Sequence, residues 1–365
     1  MKRVARVRCE DYSNAVEGVA KALELLGGAE NFAARGEALL IKPNLLAAHK
    51  PEENVTTHPA VLEGAIRAAL DVGALVTVGD SPGLGSLERV AKKAGLSEIC
   101  AKYNVELVEL GASGVGSFSG VRYKGLELAE AAVSENRVWN LPKFKTHTMM
   151  GLTLGVKNLY GCLPGKRKAL YHFRAGQSPE SFAELLLDIH NLVAPVLTIL
   201  DGVRAMDGAG PSRGDEVKRE LILASADTYA LDYEATRLAG FTPEGVPTIK
   251  LALERGEVRA DDIEVVGDEA EVMLFSPAPG SPAEFKFVPG VVRPLLRRIL
   301  HPFPRFDEKK CVGCGVCVEA CPGEALTLEK SVFLDSSKCI RCYCCQELCP
   351  HGAVDLPTGL ARLRG

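Results

Sequence analysis

Short apolar runs alternate with longer stretches whose apolar residues recur every three or four positions. The runs "ALLI" (38–41), "LVTV" (75–78), "VELVEL" (105–110), "RVWNL" (137–141), "VLTIL" (196–200), "LILA" (221–224) and "IEVV" (263–266) predict β-strands. Between several of them the spacing predicts helices. One starts near Ser13 and turns Val16, Val19, Leu23 and Leu26 to one face. Another starts at Pro59, places Val61, Ala65, Ile66, Ala69 and Leu70 inward, and stops at Gly73. A third runs near 180–192, and a fourth from Thr228 to Leu238 ahead of Gly240. Short apolar strands alternating with such helices predict an α/β fold, a mostly parallel sheet with helices on both faces.

Five of these strands run straight into polar residues. "ALLI" leads into Lys42-Pro43-Asn44, "LVTV" into "GDSPGLGS" (79–86), and "RVWNL" into "LPKFKTH" (141–147). "VLTIL" leads into "DGVRAMDGAGPSRGD" (201–215), and "LILA" into Ser225 and Asp227. In open α/β sheets, ligands bind beyond the carboxyl ends of the strands. Lys143, Lys145 and His147 alternate, so an extended backbone sets all three on one face, where they repel one another unless an anion sits among them. Alone, that face reads as a solvated strand end. The recurrence of Lys, Asp and Gly at the other strand ends makes it part of one assembled site. Lys42, Lys143, Lys145 and Lys157 are candidate point charges for a small phosphate- or carboxylate-bearing molecule, with Asn44, Asp80, Ser81, Asn158 and Asp201 as further substrate-binding residues. The glycines of 79–86 and 202–214 would let backbone N–H groups approach oxyanions. His147 and Lys145 are the candidate catalytic groups: imidazole titrates near neutrality and can supply a proton, and the ammonium stabilises developing negative charge.

At 365 residues the chain has room for two domains. A formal net charge of −4 gives no case for nucleic acid or an anionic membrane as partner. No apolar run is long enough to span a membrane, and no apolar stretch follows the basic N-terminus, so the expected location is cytoplasmic. Cysteine usage changes the picture. Nine of the twelve cysteines fall within 311–349, which points to metal ligation rather than disulfides. "CVGCGVCVEACP" (311–322) and "CIRCYCCQELCP" (339–350) both read C-x2-C-x2-C-x3-C-P, 28 residues apart. Structural zinc sites use paired knuckles rather than triplets closed by Cys-Pro, so the motif indicates iron–sulfur clusters. The shift in composition divides the chain into an α/β ligand-binding domain (1–275), a linker and docking helix (276–301) and an iron–sulfur domain (302–365). The helix, "RPLLRRIL", opens at Pro294 and carries an apolar stripe; a membrane-surface helix is the weaker reading of it.

The tandem motif resembles the bacterial two-cluster ferredoxins over roughly residues 302–359. That resemblance implies a small C-terminal α+β domain with two [4Fe–4S] clusters. Cys311, Cys314, Cys317 and Cys349 would hold one, and Cys339, Cys342, Cys345 and Cys321 the other, with Cys344 outside the set. The earlier motifs "KPN" (42–44), "TTHP" (56–59), "GDSPG" (79–83), "LPKFKTH", "GVKN" (155–158) and "DGVRAMDGAGP" (201–211) resemble the "domain of unknown function 362" family over roughly residues 38–240. Members are often fused to ferredoxin-type modules. The resemblance implies an architecture and a site but no reaction.

Two functions lead. In the first, the chain is an oxidoreductase that delivers low-potential electrons from the clusters to an anionic substrate or cofactor at the strand ends, and exchanges them with a redox protein. In the second, it is an electron carrier whose α/β domain docks or senses a ligand without catalysis. A third is non-redox group transfer with regulatory clusters. A flavin, or a divalent metal on Asp80, Asp201 and Asp207, is compatible with these residues, but no motif supports either. "GDSPGLGS" is not a dinucleotide fingerprint, and "GCLPGKRK" is one residue short of a P-loop. His58 reads as a helix cap, His172 and His190 as surface or core residues as readily as ligands, and Cys162 as a buried inert thiol ahead of a nucleophile.

Overall fold

The computed structural model describes residues 1–133, 137–165, 167–175, 178–285 and 301–357. Its largest element is a sheet built on the apolar runs. Along the chain its strands are β1 (Lys2–Arg8), β2 (Ala38–Pro43), β3 (Leu75–Asp80) and β4 (Glu106–Glu109). A separate hairpin follows, β5 (Val115–Phe118) with β6 (Leu126–Ala129). The sheet then resumes with β7 (Arg137–Leu141), β8 (Lys143–His147), β9 (Gly151–Thr153), β10 (Leu197–Asp207), β11 (Asp215–Ser225) and β12 (Ile263–Gly267). Across the sheet the order is β12-β1-β11-β10-β7-β2-β3-β4, with β8 pairing β10 and β9. Strands β10, β7, β2, β3 and β4 are parallel neighbours, and β11 runs against both β10 and β1.

Alternation along the strands feeds two cores. Leu39, Ile41, Val78 and Trp139 face α1 (Ala15–Leu25), α2 (Pro59–Val72), α3 (Leu87–Lys93) and α4 (Leu96–Lys102). Leu40 and Val138 face the opposite layer. That layer comprises α5 (Glu130–Val133), α6 (Gly155–Asn158), α7 (Arg167–Ala175), α8 (Pro179–Val193), α9 (Thr228–Leu238) and α10 (Pro247–Glu254). Helix α2 starts where the sequence indicates: Pro59 fills its first position, the His58 ring accepts from the Ala60 N–H at 3.2 Å, and Gly73 ends it with φ of 86°.

Two stretches depart from expectation. "DGVRAMD", read as a loop, continues β10 to Asp207 and pairs with β11 over nearly its whole length. "KRVARVR" forms β1, although its arginines interrupt the apolar run; Val4, Ala5 and Val7 are buried, Arg3 and Arg8 are exposed, and Arg6 is largely covered where it pairs with Glu234.

Past β7 the chain turns at Pro142 and goes on as β8, with Lys143 opposite Asp201 and Lys145 opposite Met206. This extension carries the basic face beyond the sheet's carboxyl edge. Residues 301–357 sit over that edge. They form two small sheets, β13 (Arg305–Phe306) with β16 (Val354–Asp355) and β14 (Leu326–Leu328) with β15 (Val332–Leu334), and two short helical turns, Val316–Glu319 and Cys344–Glu347. The loop between β10 and β11 fastens this module. Ser212 donates to the Glu347 carbonyl at 3.0 Å, and the Arg213 guanidinium donates to the carbonyls of Val354, Gln346 and Cys349 at 3.2–3.3 Å. A cation against the carbonyls that close a helix is favourably placed. The start of the stretch read as a linker is packed, with Ala278 and Ser281 fully buried. The docking helix expected from Pro294 onward lies outside the described residues up to its final position.

Arg213→Ala removes the three-carbonyl clamp. Hydrogen exchange at the amides of 344–354 is expected to rise at least tenfold, with the amides of Leu39–Ile41 unchanged. Equal exchange in both proteins would contradict the clamp.

Candidate functional site

The carboxyl ends of β2 and β3 are tied by a buried ion pair, with Lys42 Nζ 2.9 Å from Asp80 Oδ1. The same carboxylate accepts the N–H groups of Leu45 and Ser81, which sets the two loops that leave the sheet. A Cβ at Gly161 would collide with both the Asp80 carboxylate and the Lys42 ammonium, so only glycine lets the 155–162 segment pass this close. A chain of amides crosses the neighbouring strand ends: Asn44 donates to Asn158, Asn158 to Asn140, each at 2.8 Å, and Asn140 to the Gly155 carbonyl. The first N–H groups of α6 are held by Asp232, whose carboxyl burial pushes up to about 7.

The three alternating groups of β8 meet different fates. Lys143 is fully buried against Asp201 at 3.0 Å, and its ammonium also reaches the Tyr12 hydroxyl at 2.6 Å. Tyr12 donates to the other Asp201 oxygen, and the His58 N–H donates to the first. Lys143 and Asp201 therefore form a closed structural cluster. Neither lines the cleft described next, which corrects their assignment as substrate-binding residues. His147 accepts the N–H groups of Met149 and Met150 on Nδ1, so its proton sits on Nε2, 3.6 Å from Glu347 of the iron–sulfur module. Burial, with Lys157 nearby, pushes its imidazole down to about 4. His147 is thus neutral at pH 7, its proton faces Glu347, and it does not line the cleft. This geometry corrects its assignment as the proton donor. Lys145 does reach the cleft and donates only to the Val55 carbonyl, at 2.6 Å.

The cleft, of about 330 Å³, lies between the strand ends and the iron–sulfur module. It collects Lys42, Asn44, Asp80, Ser81, Lys145, Lys157 and Asn158, seven of the residues expected from sequence. Lys168 of α7 joins them, donating to Ser81 Oγ at 2.8 Å. Of its four lysines only Lys42 has a carboxylate within ion-pair distance among the described residues. Lys157 has neither hydrogen bond nor ion pair there. Burial pushes Lys145 down to about 7 and Lys168 to about 8, and lowers Lys157 as well. Glu347, also on the cleft, would be raised by burial alone, but the nearby His147 and Lys157 outweigh that and lower it. Sequence reasoning missed Lys168, set aside with the incomplete P-loop, and left His172 open between a surface or core residue and a ligand. His172 lines the cleft with Nδ1 unpartnered among the described residues, its ring stacked on Phe182 at 4.4 Å. The glycine-rich 208–214 loop serves docking, and only Pro211 of it borders the cleft.

The cysteines fit the group their spacing implies. Cys311, Cys314, Cys317 and Cys349 line one small cavity of the module, and Cys321, Cys339, Cys342 and Cys345 line another. All are free thiols. The turns that wrap them repeat: φ is positive at Gly313 and Arg341, at Gly315 and Tyr343, and at Glu324 and Gly352. The Ala325 and Ala353 N–H groups point at Cys321 and Cys349 sulfur at 3.3 and 3.4 Å, which suits thiolate ligands. Each cavity shares a wall residue with the cleft, Val316 for the first and Cys344 for the second. The three aspartates considered for a divalent metal do not converge. Asp80 and Asp201 are taken by lysines, and Asp207 accepts from the Ser276 N–H.

Residues 39–237 match the family model described as Domain of unknown function (DUF362), and residues 310–353 match a 4Fe-4S dicluster domain. The Thylakoid-associated protein sll1697 of Synechocystis sp. is 35% identical over 258 residues, covering 68% of this chain and 78% of that protein. Among solved structures, the lactate racemase apoprotein of Thermoanaerobacterium thermosaccharolyticum has a TM-score of 0.44 at 13% identity, covering 66% of this chain. A protein from Thermotoga maritima has a TM-score of 0.42 at 10% identity, covering 68% of this chain. The chain spans 57% and 60% of those two structures.

Asp201→Ala leaves the Lys143 ammonium buried without its partner. A loss of about 3–5 kcal/mol in the stability of the α/β domain is expected, read from the fluorescence of Trp139, the single tryptophan. A loss under about 1 kcal/mol would contradict the closed cluster.

Proposed function

The chain belongs to the family described as Domain of unknown function (DUF362), and from that premise we propose that it is an iron–sulfur oxidoreductase acting on a small anion in the cleft. A 4Fe-4S ferredoxin-type domain is part of the chain; two clusters, their eight cysteine ligands and the reaction are our reading. The observation that carries it is the shared wall. Three lysines without carboxylate partners face a cleft that is one residue away from each cysteine-lined cavity. When bound, the clusters supply one electron each at low potential.

Lys157 and Lys168 hold the anionic group, since a negative guest restores the partner that burial denies them. The Lys42–Asp80 pair fixes the floor. Lys145, an ammonium brought near neutrality, hands a proton to the guest as it gains charge. Two electrons and two protons reach the guest in each turnover. An external redox protein returns the electrons, and the solvent returns the protons. The Ser212 and Arg213 contacts hold the module over the cleft, and its Glu347 faces His147 at 3.6 Å. Among the described residues no helix is long and apolar enough to cross a membrane. We assign the protein to the cytoplasm; thylakoid association, printed in the name of the cyanobacterial relative, would here be a surface contact.

Dithionite-reduced protein is expected to be reoxidised by a protein-free metabolite extract. The Lys145→Met variant should react at least tenfold more slowly with unchanged iron and sulfide content. Reoxidation by protein fractions alone would contradict the reading and favour a carrier. The pH dependence has a fixed sign. An anion binds the protonated lysines, so reoxidation should fall at least tenfold between pH 7 and pH 9, as Lys145 and Lys168 lose their protons. Stability should move the other way. The folded Lys145 binds its proton less tightly than the unfolded residue, so its contribution rises with pH from about 7 to its ordinary value of 10.5.

A further inference from the structure

The cleft has two kinds of lining. Lys145, Lys157 and Lys168 make one. The other is apolar, with Leu45, Leu46 and Leu84 from the loops after β2 and β3, and Val316, Ala320 and Leu348 from the iron–sulfur module, where the Glu319 and Glu347 carboxylates also border the cleft. Five of these six are only half-buried, so they keep apolar surface open to the cleft, and Leu45 is nearly enclosed.

A small inorganic anion would satisfy the lysines and leave this apolar lining in contact with water. A volume of about 330 Å³ is that of roughly ten liquid-water molecules, and inorganic phosphate has five heavy atoms. Covering the apolar lining removes more surface from water, at roughly 25 cal/mol per Å². Thr153 Oγ1 and His172 Nδ1, on side chains more than nine-tenths buried, line the cleft with no partner among the described residues. They add hydrogen-bonding capacity beside the lysines, since Thr153 lies opposite Lys145 across β8 and β9 and His172 is one helical turn from Lys168.

We propose that the guest is an amphipathic organic acid, a carboxylate or phosphate ester with an apolar body, whose acid group meets Lys145, Lys157 and Lys168 and whose body lies on the leucines and Val316. This rests on the functional reading above and narrows it. The apolar end is the one beside the cysteine-lined cavities, because Val316 borders both.

Matched probes test this by calorimetry on anaerobically purified, cluster-loaded protein. Phenyl phosphate is compared with inorganic phosphate, and benzoate with acetate, so that the two acid chemistries are read separately. The aryl member of at least one pair is expected to bind at least tenfold more tightly than its small partner. Leu84→Asn should shrink that ratio at least fivefold and leave the small anion's affinity unchanged. Lys157→Met should weaken both members. Equal affinity within both pairs would overturn the inference while leaving an anion-binding cleft. Failure of all four probes to bind the loaded protein would overturn the inference and the functional reading together.

Discussion

A lysine moved out of water has to meet a negative charge or surrender its proton, because the desolvation cost of an isolated ammonium exceeds what hydrogen bonds to neutral groups return. Around the carboxyl edge of this sheet five lysines are drawn out of water, Lys42, Lys143 and Lys145 fully and Lys157 and Lys168 in part, and they are settled in two ways. Lys42 and Lys143 each have an aspartate at about 3 Å. Lys145, Lys157 and Lys168 have none among the described residues, and all three line the cleft. The closed pairs hold the strand ends rigid, and the open lysines are left for a ligand. A positive site that depended on all five would be mutually repulsive; splitting them confines the unmatched charge to one wall.

The iron–sulfur module completes this site rather than hanging beside it. It brings the apolar residues of one wall and the Glu347 carboxylate that faces His147. Its internal repeat meets different settings in its two halves. Gly352 lies beside the Arg213 guanidinium, 3.5 Å from where a Cβ would sit, while the matched position in the first half is Glu324. The cysteine ring that includes Cys349 therefore carries a nearby cation from the large domain. Its other exposed flank, at Val312 and Cys314, leaves a face open for a redox protein.

The fold was legible where one rule governed a stretch. The run "ALLI" is apolar throughout because both sheet faces are covered there, and α2 is bounded by a proline and a glycine. β1 was hidden because its three arginines keep the apolar count low, although one of them, Arg6, is paired with Glu234. "DGVRAMDGAGP" looked like a loop because its glycines and aspartates are those of one. Its first part is held as strand by pairing with β11, a partner far along the chain that local pattern does not reveal. The site was legible as a list of charged strand ends and not as geometry. Alternation put Lys143, Lys145 and His147 on one face, yet each meets a different neighbour within that short span. Which lysine is paired depends on Asp201 and Asp80, brought in by other strands. Lys168 lies on a helix no strand-end argument would reach, and Glu347 comes from the other end of the chain.

The central claim is that an acid group is held on the unpartnered lysines with its apolar body toward the iron centres. Electron–nuclear double resonance on the reduced protein with ring-deuterated phenyl phosphate measures this directly, because the deuterium nuclei couple to a paramagnetic cluster only at short range. The account requires a deuterium coupling that disappears in Lys157→Met. Saturating ring-deuterated phenyl phosphate that gives no coupling in the wild-type protein would contradict it.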